Sequence, residues 1–120
     1  MDQPLHPLEA KSTQEETSAR IALPHEAIVE LSDRYGVEEL AVFGSVLRPD
    51  FRSDSDVDFL VTFINDDEGP WMSKLQALES ALADVLGREV DVVSRRGIEQ
   101  SKNARRRRTI LESAVTIYER

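Results

Sequence analysis

Apolar positions along this chain recur with two periods. From Pro24 onward, Ala27, Ile28, Leu31 and Tyr35 fall at helical spacing. Pro24 suits the first position of a helix and Gly36 suits its end. Val37 to Phe43 reads as a buried strand. Val57 to Ile64 is a second strand, in which Val57, Phe59, Val61 and Phe63 point to a core face while Asp56, Asp58, Leu60 and Thr62 point the other way. Trp71, Leu75, Leu78, Leu82, Val85 and Leu86 make the stripe of an amphipathic helix that Gly87 stops. Arg88 to Val93 is a third strand. Ile110, Leu111 and Ala114 give a thin apolar side to a basic helix, and Val115 to Tyr118 reads as a last short strand at a sheet edge. The order helix, strand, helix start, strand, helix, strand, helix, strand predicts an α/β (α+β) domain with a small mixed β-sheet packed against helices.

That domain is expected over residues 23–120. Residues 1–22 are polar, carry Pro4 and Pro7, and read as a flexible N-terminal tail, with at most one helical turn at the capping box Thr13-Gln14-Glu15-Glu16. Asn65 to Pro70 is a loop whose acids lack the spacing of a calcium site. The chain has no cysteine, which removes disulfide and thiolate chemistry. No apolar run approaches the length of a membrane span, and Met1-Asp2-Gln3-Pro4 lacks the basic and apolar regions of a signal peptide, so a cytoplasmic location is expected. The formal net charge of −8 argues against a broad electrostatic grip on nucleic acid and favours a small, metal-chelated nucleotide.

The candidate chemistry lies between the first two strands. Gly44-Ser45 stands at the end of the first, where a short helix can begin. Glycine lets a phosphate approach the backbone, amides at a helix start bind anions, and the Ser45 hydroxyl either donates to a phosphate oxygen or caps the helix. Ten residues later, Asp56 and Asp58 share one face of a strand, roughly 6–7 Å apart along it. Paired carboxylates on a rigid face suit hard divalent cations such as Mg²⁺, two of which sit about 3.5–4 Å apart in enzymes that displace at phosphorus. Asp91, a charge among β-branched neighbours in the third strand, must be paired or metal-bound if buried, and is the candidate third ligand. Glu89 shares its face and is the rival. Neither His6 nor His25 is assigned a metal.

From Arg95 to Arg108 the chain is basic. The run Arg105-Arg106-Arg107-Arg108 wraps most of the way round a helix, so most of it is expected to face solvent, with one or two members free to meet an acidic partner or substrate phosphates.

The arrangement Gly44-Ser45, ten residues, Asp56-Val57-Asp58, then Asp91 resembles the DNA-polymerase-β-like nucleotidyltransferase superfamily. More closely, Phe43 to Arg48, Ser55 to Val61, Leu86 to Val93 and Ile110 to Tyr118 resemble the minimal nucleotidyltransferase (MNT) antitoxins of HEPN/MNT toxin–antitoxin pairs, over about residues 24–120. That resemblance implies a polymerase-β palm-like fold in which Gly44 and Ser45 hold the triphosphate. It places Asp56, Asp58 and Asp91 on two Mg²⁺ ions, with Asp91 beside the attacking hydroxyl. Arg48 falls where relatives often carry a basic residue. It implies an Mg-dependent protein adenylyltransferase that moves AMP from ATP to a hydroxyl, a tyrosine's, of a HEPN ribonuclease toxin. Two other readings stand beside it: a binding-only antitoxin with a vestigial site, and nucleotidyl transfer to a small-molecule hydroxyl, whose relatives usually carry an extra helical domain.

Overall fold

A computed structural model of the chain describes residues 23–44, 56–64 and 71–120; for Trp71 and Met72 only the backbone is described. The expected tail, the loop 65–70, and the motif positions Ser45 and Arg48 lie outside the described residues.

Helix α1 (His25–Arg34) is followed by β1 (Val37–Phe43), then β2 (Val57–Phe63), α2 (Trp71–Leu86), β3 (Val90–Ser94), α3 (Arg95–Glu99), α4 (Ala104–Ser113) and β4 (Val115–Glu119). Pro24 is the N-cap of α1 rather than its first residue, and its carbonyl accepts from the Ile28 amide. Beyond the C-cap Tyr35, Gly36 takes the left-handed conformation, with φ 67°, that turns the chain into β1.

The four strands form one mixed sheet in the order β3-β2-β1-β4. β1 pairs antiparallel with β2 and with β4, whereas β2 and β3 run parallel. A parallel pair needs a long crossover, and α2 supplies it. β4 lies at a sheet edge, as its short apolar run predicts.

Both faces of the sheet are covered. On one, Val57, Phe59, Val61 and Phe63 of β2 join Leu40 and Val42 of β1, Ile28 and Leu31 of α1, and Leu78 and Leu82 of α2 in the main core. The opposite face carries a smaller cluster of Ala41, Leu60, Ile98, Ile110 and Ala114, with Phe43, Val93 and Leu111 packed against it. Leu60, on the same face of β2 as Asp58, is buried here by Ile98 of α3 and Ile110 of α4.

The basic stretch expected as one helix is two. Ser94 caps α3 by accepting from the Gly97 amide at 2.9 Å, and Asn103 caps α4 by accepting from the Arg106 amide at 3.0 Å. Val85, expected in the α2 stripe, is 38% exposed, whereas Leu82 on the same helix is fully buried. Leu82→Ala should therefore lower the unfolding free energy by about 2–5 kcal/mol, and Val85→Ala should change it by about 0.5 kcal/mol or less. Urea denaturation of the two variants against the parent chain measures both.

Candidate active site

Three backbone decisions bring the candidate residues to one rim of the sheet. The first is the antiparallel register of β1 with β2, which pairs Phe43 with Asp58. The chain leaving β1 therefore passes Asp58 at once, through Gly44. Gly44 has φ 80°, and a Cβ added there would stand 2.6 Å from Asp58 Oδ2. No side chain fits without displacing the carboxylate, so here glycine answers both a conformational and a spatial demand.

The second is the parallel register of β2 with β3, which pairs Asp58 with Asp91. Paired residues of neighbouring strands lie about 4.7–4.9 Å apart across the sheet and face the same side. The rival Glu89 stands one step before the strand, where its backbone carbonyl accepts from the Val57 amide at 3.2 Å and ties β3 to the start of β2. Asp91 is exposed on the outer strand. The expectation that burial forces it to find a partner is thus corrected: its place beside Asp58, rather than desolvation, marks it out.

The third is support for β3 from outside. As an edge strand it has an unpaired outer side, and Glu79 of α2 accepts from the Val92 amide at 3.1 Å. The residue next to Asp91 is thereby fixed to the helix that carries the crossover. Periodicity alone gave no sign of this, because Glu79 sits between Leu78 and Leu82 like any flanking polar residue.

Burial, then the charges of Asp91 and Asp56, push the Asp58 carboxyl above its ordinary value of 3.8, and the positive charge of Arg106 on α4 pulls it back down. Half-buried Asp58 is thus the electrostatic centre of the group, with exposed Asp56 just before β2 and Asp91 beside it. Among the described residues no three carboxylates or imidazoles close a preformed cage around a cation. An open rim of carboxylates still fits Mg²⁺, which keeps several waters and takes one or two carboxylates together with substrate phosphates. Of the other arginines, Arg95 pairs with Glu39 of β1 at 3.7 Å, and Glu39 also accepts from Thr116 of β4. Exposed His25 lies at the start of α1, near β4.

A family model described as a nucleotidyltransferase domain matches residues 25–117. The chain belongs to the nucleotidyltransferase domain family. The chain is 47% identical over 64 residues to "Protein adenylyltransferase MntA" of Thermococcus cleftensis, a match that spans 53% of this chain and 62% of that protein. It superposes with a TM-score of 0.59 on a solved structure assigned as a minimal nucleotidyltransferase, at 38% identity and covering 86% of this chain and 94% of the other. The same fold recurs at lower identity in toxin–antitoxin complexes. One, with AMP-PNP, gives a TM-score of 0.59 at 19% identity, covering 82% of this chain and 75% of that one. Another is a complex of tri-AMPylated Shewanella oneidensis HEPN toxin with MNT antitoxin, at TM-score 0.54 and 18% identity, covering 83% and 73%.

Because folding raises the Asp58 pKa, it favours the protonated carboxyl. The stability that this group contributes is complete below 3.8 and is lost as pH rises through the raised value. In EDTA at pH 7, Asp58→Asn should therefore raise the melting temperature, and the gain should shrink as pH falls and the parent aspartate takes up its proton. Thermal melts of both proteins between pH 7.5 and 4 measure this; a lower melting temperature for the variant at pH 7 would contradict the electrostatics described.

Proposed function

We propose that this nucleotidyltransferase is an antitoxin that transfers AMP from ATP to a hydroxyl, that of a tyrosine, on a HEPN-family ribonuclease toxin and so silences it in the cytoplasm. The observation that carries the reading is the pairing of Asp58 with Asp91 on adjacent parallel strands, with the bare backbone of Gly44 pressed against Asp58. Support comes from the likeness to a protein named as an adenylyltransferase and from the fold shared with antitoxins solved on their toxins. No helix among the described residues is long and apolar enough to cross a membrane.

In this reading Asp56, Asp58 and Asp91 hold two Mg²⁺ ions, which when bound supply neutralising charge to the triphosphate and make the acceptor hydroxyl more acidic. Gly44 leaves the backbone open for a phosphate to approach, Ser45 donates its hydroxyl to the triphosphate, and Arg48 adds a positive charge beside it. Asp91, exposed on the outer strand, accepts the hydrogen of the incoming hydroxyl and aims its oxygen at the α-phosphorus. The new P–O bond forms as the bond to the bridging oxygen breaks and pyrophosphate leaves. Catalysis of this kind consists mostly of positioning and charge stabilisation, which a single small rigid sheet can provide. The acceptor must bring its own surface to the exposed rim, as a folded protein partner does. A net charge of −8 fits a protein acceptor and a chelated nucleotide better than a nucleic acid.

The test is intact-mass analysis of the protein encoded beside this chain, after incubation with the purified protein, ATP and Mg²⁺. An AMP-sized gain on the partner is expected, and none with the Asp56→Asn/Asp58→Asn variant. No gain, with the toxin still inhibited by that variant, would make the protein a binding-only antitoxin.

A further inference from the structure

Asp91 is less firmly held than the carboxylate it is paired with. Asp58 lies on β2, which has a strand on each side, whereas β3 is five residues long and stands at the sheet edge. The Asp91 side chain is exposed, so burial does not fix its direction. Like charges on paired residues repel, and a push between Asp58 and Asp91 displaces the outer strand more easily than the inner one.

Backbone contacts on either side of Asp91 oppose that displacement. Two residues before it, the Glu89 carbonyl accepts from the Val57 amide at 3.2 Å. One residue after it, the Val92 amide donates to Glu79 Oε2 at 3.1 Å. The second contact comes from a side chain on a different element. An edge strand leaves alternate amides without a sheet partner, and here a half-buried carboxylate meets one of them. Apolar packing sets the position of Glu79 itself. Leu78 beside it and Leu82 one turn on are buried in the main core, and the Val92 side chain is buried in the same cluster. A charged acceptor bonds more strongly than a neutral one. The path of β3 next to Asp91 is thus referred to the middle of α2.

We infer that Glu79 is a positioning residue of the cation site: by holding the Val92 amide, it keeps Asp91 at the spacing from Asp58 that a shared cation needs. The inference rests on the function proposed above, in which Asp91 is a metal ligand. A bound cation turns the repulsion between the two carboxylates into attraction, provided both reach it. Support that leaves a ligand about 1 Å loose costs affinity. Glu79 does not touch the cation in this account; it acts through one peptide unit. Its task is to accept a hydrogen bond, which a glutamine in its place can do through its amide oxygen. That separates positioning from a role in which Glu79 simply adds negative charge near the rim.

Two measurements on the parent chain, E79A, E79Q, D91N and the double variant E79A/D91N test this. The first needs no cation: amide hydrogen exchange followed by NMR in EDTA. E79A should speed exchange at Val92 by about tenfold, and E79Q should stay near the parent. The second is calorimetric titration with AMP-PNP in excess Mn²⁺. E79A should bind about tenfold more weakly, and E79Q should again stay near the parent. E79A/D91N should bind no more weakly than D91N, because the loss passes through Asp91. A general loosening of the fold would instead add to the D91N loss, and that additive result would overturn the inference. So would an E79A that binds like the parent, or an E79Q as impaired as E79A. Alanine favours helix, so E79A should fold, which circular dichroism checks; were it to unfold, E79D, whose shorter side chain falls short of the amide, carries the same expectations. A D91N that binds like the parent, or a parent chain that does not bind, would sink the proposed cation site and the inference with it, while exchange at Val92 would still report whether Glu79 holds the strand.

Discussion

Two strands that run parallel and in register hold like charges side by side, and the rest of the molecule is arranged to tolerate it. Asp58 and Asp91 are paired across β2 and β3, in a place that neither side chain would choose on its own charge. What keeps them there is the apolar mass on both sides of the sheet. Val57, Phe59 and Val61 are buried on one face, and Leu60 is buried on the other. A slip of one residue in β2 would turn all of these to the wrong side. Register is thus enforced by hydrophobic burial, and the carboxylates at the end of the strands are carried along with it. The Glu79 side chain on the Val92 amide and the Val57 amide on the Glu89 carbonyl pin the same pair of strands from two further directions.

The electrostatic consequence is local. The raised pKa of Asp58 reports partial desolvation and two neighbouring negative charges, offset in part by Arg106. Partial burial beside two like charges makes the charged form of Asp58 costly to the fold at neutral pH. The chain as a whole is acidic, yet its positive charge is gathered between Arg95 and Arg108. Arg95 pairs with Glu39, Arg107 donates to its own loop, and the charge of Arg106 lowers the Asp58 pKa, so members of the basic stretch have different surroundings.

The strands, their faces and the carboxylate pair Asp56 and Asp58 were legible because a period of two fixes both burial and direction from sequence alone. Asp91 was found for a reason that did not hold. It was expected to be buried among β-branched residues, but it lies on an exposed edge strand, and only the pairing of strands places it beside Asp58. The two short helices between β3 and β4 were read as one, since Ser94 and Asn103 act as caps through side-chain geometry that composition does not reveal. The basic run was visible, but not the surroundings of each arginine, which follow from long-range packing of Ile110 and Ala114 against the sheet rather than from neighbours in sequence. The roles of Ser45 and Arg48 rest on the motif, as both lie outside the described residues.

The proposed function rests on Asp56, Asp58 and Asp91 acting together as one cation site opened by Gly44. It is tested most directly by crystals of the protein grown with Mn²⁺ and AMP-PNP, with anomalous scattering locating the metal. The expected map has manganese between the β2 and β3 carboxylates, with Asp58 and Asp91 both as ligands and the phosphates beside Gly44. Manganese bound elsewhere on the chain, or a carboxyl of Asp91 turned away from the ion, would contradict it.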